Sequence, residues 1–103
     1  MSRDVVIQTV LEYLQQKYDL SDFEKDIIST KVKYDEQPFD RKGAEQKIVE
    51  NNRKYPDIFY KITAKPGVYA ASFSELSDDI VKGNLMLQIE EMCAKAYYAI
   101  LKK

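Results

Sequence analysis

The chain has 103 residues, 45% hydrophobic and 32% charged, with a formal net charge of −1 and a pI near 5.5. That composition predicts one globular domain with a modest core rather than disorder, and the charge excludes a strongly basic nucleic-acid-binding field. A single cysteine, Cys93, and no histidine exclude an internal disulfide, a Cys/His zinc site, a Ser-His-Asp triad and a Cys-His pair.

The opening "MSRDVVIQTV" does not read as a signal peptide, because its apolar stretch is broken at Gln8 and Thr9. No apolar run approaches the roughly 20 residues that span a bilayer. A soluble chain in a reducing cytoplasm, without membrane contact, is the expectation.

Residues 3–18 carry apolar side chains at helical spacing: Val6, Val10 and Leu14, flanked by Ile7, Leu11 and Tyr18. Ser21 followed by Glu24 is a capping box, in which each side chain satisfies a backbone N–H at a helix start. The second helix then runs to about Tyr34, with Phe23, Ile27, Ile28 and Val32 on its buried face. Pro38 disfavours a helical Gln37. Asp40 caps a third helix reaching about Lys54, with a thin stripe of Ala44, Ile48, Val49 and Tyr55, and Pro56 ends it.

The stretch "FYKITAKPGVYA" at 59–70 predicts a β-hairpin. Ile58, Tyr60 and Ile62 alternate with Phe59 and Lys61, and Pro66-Gly67 suits a type II turn. A lone hairpin is marginal, so a short third strand is sought at "QPF", 37–39. Ser77 then caps a long helix over 78–102. Leu85, Ile89, Met92, Ala96 and Ile100 form one stripe, widened by Leu76, Ile80, Met86, Cys93, Tyr97 and Leu101. Gly83 is the residue that would bend it.

Three helices followed by a hairpin is the order of a winged helix-turn-helix domain. The fold expectation is therefore mainly α with a small β-hairpin: a winged-helix-like core over 4–74, and a C-terminal packing or dimerisation helix over 76–103, in one domain. On "DVVIQTVLEYL", "FEKDII" and "KGAEQKIVENNRKYPDIFYKITAKPGVYAAS", residues 4–72 resemble the HARE-type winged-helix family. Such domains occur in chromatin-associated and restriction–modification-associated proteins, and a related one forms the N-terminal part of the RNA polymerase delta subunit. The connection at 33–40 is longer and more acidic than that pattern, and the last helix lies outside it. The resemblance implies a DNA-binding or transcription-machinery-binding module and no catalysis.

On a recognition helix, Arg41, Lys42, Gln46 and Lys47 would meet bases or phosphates, and on the wing Lys61 and Lys65 would meet phosphates. The competing reading is a solvated face of mixed charge, since Glu45 and Glu50 would face phosphates unfavourably, and edge-strand lysines that block aggregation. The last helix has more apolar surface than one small domain needs. Leu85, Leu87, Ile89, Met92, Tyr97 and Ile100 are the candidate partner-binding residues, for a second copy or another protein, against packing on the first helix of the same chain. Asp78-Asp79 and Glu90-Glu91 do not form an acid–base pair: the first sits at a helix start, the second points two ways. No cofactor, metal or catalytic constellation is present. Two functions stand: a small DNA-binding or DNA-associated regulator, dimeric and touching duplex DNA, or a protein-interaction module acting as adaptor or inhibitor without nucleic acid.

Overall fold

The computed structural model describes residues 2–17, 19–63 and 70–102, with side chains except those of 60–63 and 70–72. It contains five α-helices among these residues: α1 Arg3–Gln15, α2 Asp22–Asp35, α3 Arg41–Lys54, α4 Pro56–Thr63 and α5 Asp78–Leu101. A short 3-10 segment, Ala70–Glu75, precedes α5.

The helix starts follow the local chemistry. Ser2, Ser21, Asp40 and Ser77 each accept a hydrogen bond from a first-turn N–H. At α2 the box is reciprocal, with the Ser21 N–H donating to Glu24 Oε2 at 3.1 Å. Gly43 is buried in the first turn of α3, where a Cβ would collide with the capping carboxylate of Asp40 and the Lys33 ammonium. The cost of glycine in that turn is thus tied to its cap.

The hairpin expectation is overturned. No strand or sheet occurs among the described residues, and the first arm of the expected wing is the helix α4. The pre-proline residue Tyr55 leaves the helical region at φ −127°, ψ 57°, which terminates α3. Pro56 then opens α4, a first helical position where its fixed φ fits and its missing N–H costs nothing. Ile58, Phe59 and Ile62 are spaced i, i+1, i+4 as well as reading as part of a strand, a known ambiguity of short apolar runs. Packing decides it: Phe59 is fully buried against α1, α2 and α5. The turn at Lys65-Pro66-Gly67 lies outside the described residues, and Ala70, expected on the returning strand, begins the 3-10 segment. The "QPF" stretch forms no strand either; its Phe39 is half-buried against the α3–α5 cluster. The winged-helix arrangement is therefore replaced by a helical bundle.

α5 is the wall on which the bundle is built, packing on α1, α2, α3 and α4. Its first half, with Val81 and Leu85, joins Ala44 and Ile48 of α3 and Phe73 of the 3-10 segment. Its second half, with Ile89, Met92, Cys93 and Ala96, joins Ile7, Val10, Leu14, Ile27 and Phe59. Gly83 interrupts neither the helix nor the packing. Val32, expected on the buried face of α2, is instead exposed, because Asp26, Ile27 and Thr30 face the core.

A strand would place Phe59 on the side opposite Ile58, Tyr60 and Ile62, whereas α4 sends it into the core. Phe59→Ala is expected to cost about 3–5 kcal/mol of stability in urea unfolding. A loss under about 1 kcal/mol would place the side chain at the surface.

Candidate functional site

Two charged clusters organise α3. Arg41, at its start, donates from Nε to Glu45 Oε2 at 2.7 Å, from one terminal nitrogen to Asp78 Oδ1 at 2.8 Å, and from the other to the Phe73 carbonyl. One guanidinium thus ties α3 to the 3-10 segment and to the first residue of α5. Lys47 is buried and lies 3.4 Å from Asp26 and 3.6 Å from Glu50. Asp26 also accepts from the Tyr55 hydroxyl at 2.5 Å and faces Lys54 at 3.5 Å. Desolvation pushes the Asp26 carboxyl up, but the Tyr55 hydrogen bond and the charges of Lys47 and Lys54 together outweigh it and hold the group below its ordinary value. Burial and the bond to Asp26 push the Tyr55 hydroxyl upward.

The residues expected to touch DNA are consequently divided. Arg41 and Lys47 are engaged within the chain, while Lys42 and Gln46 are exposed on the outer face of α3, beside Arg53. A groove of about 350 Å³ runs there, lined by Glu45, Gln46, Val49, Glu50, Arg53 and Phe73. The side chain of Lys61 and the whole of Lys65 lie outside what the structure describes.

The residues expected to meet a partner divide as well. Leu85, Ile89 and Met92 are fully buried inside the chain, so they are core; Tyr97 and Ile100 are half-buried, packed against the α1 side of that core. Leu87 alone of that set is exposed. It belongs to a different line of side chains on the outer surface of α5. Ile80, Leu87, Ala94 and Leu101 recur at seven-residue intervals, and Tyr98 stands beside them. Seven residues fall about 20° short of two full turns, so such a series stays on one face across the helix. Ile80 is 51% exposed, Leu87 40%, Tyr98 65% and Leu101 62%, and Ala94 is half-buried. A groove of about 130 Å³ between α1 and α5, lined by Arg3, Val6, Glu90, Glu91 and Ala94 among others, flanks the line. Ala94 and Tyr98 are not among the six candidate partner-binding residues read from the sequence. The seven-residue repeat was the signal that would have found Ala94, hidden beneath the stronger core stripe of the same helix; Tyr98 is not part of that repeat.

Among the described residues no group of three or more His, Cys, Asp or Glu side chains is arranged to hold a metal ion, and no helix is long and apolar enough to cross a membrane. Cys93 is buried in the core, and burial pushes its thiol up to about 11. Compared with known proteins, the chain matches no protein-family model, no curated protein and no solved structure.

The Asp26 cluster gives a pH signature. Its carboxyl is depressed in the folded state, so its contribution is present above the ordinary value of 3.8 and is lost as pH falls through the lower folded value. Asp26→Asn is expected to cost about 1.5–3 kcal/mol at neutral pH. The gap to wild type, followed by urea unfolding across an acid series, should close toward zero below that window; a gap that is flat with pH would show that the carboxylate charge does not matter.

Proposed function

We propose that this chain is a non-catalytic protein-interaction module whose docking surface is the outer line of α5. One observation carries the reading: Ile80, Leu87, Tyr98 and Leu101 remain exposed along a single helix whose other faces are consumed by α1, α2, α3 and α4. Large apolar side chains left exposed along one helix face offer a surface on which another protein can dock. The acidic pI and the inward engagement of Arg41 and Lys47 support the same side.

The duplex-DNA reading retains one observation in its favour, the exposed Lys42, Gln46 and Arg53 sharing the outer face of α3. Glu45 and Glu50 line the same groove and would oppose phosphates there.

Leu87→Asp leaves the core untouched. It is expected to keep the helical circular dichroism of the wild type and to lose, in a pull-down, whatever protein the wild type retains; an unchanged partner set would remove this face from the interface. Titrated with a random duplex at low salt, the wild type is expected to give no anisotropy rise. Salt-sensitive binding that is lost in Lys42→Ala/Arg53→Ala would restore the DNA reading.

A further inference from the structure

We propose that Arg41 is a salt-sensitive latch. It seats a short strap, residues 73–77, over the α3–α5 cluster, and when it lets go the strap leaves as a unit while the rest of the bundle stays folded. This role of Arg41 does not depend on any partner of the outer α5 line. The strap runs from the end of the 3-10 segment to the N-cap of α5. Ser74, Glu75 and Ser77 are exposed, and the apolar anchors are the buried Phe73 and the half-buried Leu76. Among the described residues, the hydrogen bonds that tie 73–78 to another element all come from Arg41, through the Phe73 carbonyl and Asp78. The strap also bonds locally. The Leu76 N–H donates to the same Phe73 carbonyl at 3.0 Å, and the Ser77 hydroxyl and carbonyl accept from the N–H groups of Ile80 at 3.3 Å and Val81 at 3.1 Å. One carbonyl oxygen thus takes both the latch and the turn's own bond.

The latch is weak for a physical reason. Its carboxylate partners meet water: the Asp78 side chain is 68% exposed and that of Glu45 28%. Ion pairs in contact with solvent contribute little and are screened by salt. The ties that hold α3 elsewhere do not pass through the strap. Asn51 bonds Thr30 and Gln88, Gln88 bonds the Ile48 carbonyl, and Lys47 pairs with Asp26, all of them buried. Opening at Phe73 therefore leaves α3 fastened to α2 and α5. A segment with few buried contacts, lying apart from such a network, is where a small fold opens locally. Phe73 also fixes what is uncovered. It belongs to the buried cluster with Ala44, Ile48, Val81 and Leu85, and it lines the groove on the outer face of α3. Its departure joins that groove to the apolar interior between α3 and α5.

Amide hydrogen exchange in the native protein, followed residue by residue by NMR, tests the latch. The N–H groups of Leu76, Ile80 and Val81 report on the strap, and those of Leu14, Ile27 and Ile89, buried in the other cluster, report on the bundle. Raising NaCl from about 0.05 to about 0.5 M should speed the strap reporters several-fold and leave the bundle reporters unchanged. Arg41→Gln should speed the strap reporters at least about tenfold, with bundle rates changing less than about threefold. Strap reporters that respond to neither change would overturn the latch. Strap and bundle reporters that accelerate in step would show global unfolding and overturn the local opening. A response to Arg41→Gln without one to salt would overturn the salt sensitivity, and acceleration of Leu76 without Ile80 and Val81 would overturn the strap as a unit. If Arg41→Gln does not fold, the salt series on the wild type decides.

Discussion

A buried chain of amide and hydroxyl groups holds this fold in register. Asn51 on α3 donates from Nδ2 to the Thr30 hydroxyl of α2 at 2.9 Å and to Gln88 Oε1 of α5 at 3.1 Å. Gln88 returns a bond from Nε2 to the Ile48 carbonyl at 3.1 Å, and the Thr30 hydroxyl donates to the Asp26 carbonyl at 2.7 Å. All three side chains are almost completely buried. Each bond contributes little net stability, but a buried donor or acceptor left unmade costs about 1–3 kcal/mol. Sliding α3 by one residue along α5 would strand several of these groups at once. Hydrophobic contact alone tolerates such slips; this network penalises them. Asn51 Oδ1 has no partner among the described residues, nor have the buried Asn52 Oδ1 and Asn84 Nδ2.

The network also sits at a seam. Gln88 lies between the α5 residues that serve the α3-side cluster and those that serve the α1-side cluster. With α5 committed inward along its whole length, its remaining outer surface is the part that internal packing does not specify. The basic residues of α3 show the converse. Arg41 and Lys47 resemble a nucleic-acid face in the sequence, yet their charges are spent within the chain, one at a junction of three segments and one beside a buried carboxylate.

What was legible in the sequence was local. The Ser21/Glu24 box, the Asp40 cap and the Ser77 cap rest on contacts within four residues, and α1 and α5 announced themselves by long apolar periodicity. What was not legible depended on partners distant in the chain. Residues 58–62 satisfy either period, and only the burial of Phe59 among α1, α2 and α5 selects the helix. Asp26, Lys47, Asn51 and Gln88 are residue types expected at the surface, and each is inside because another polar group meets it there. At the candidate site, Leu87 was identified, but the core stripe was read as surface, because both lines of apolar residues share one helix.

The position of α5 also shapes how the molecule comes into being. It follows α1 to α4 in the chain, yet it is the surface against which they pack, and the Arg3–Glu90 ion pair joins its middle to the start of α1. During synthesis the earlier helices emerge before the wall they need exists. At about 5–20 residues per second their apolar faces stand uncovered for seconds. Assembly is therefore governed by the arrival of the last helix, and the folding time of this small helical protein is set by long loop closures more than by helix formation.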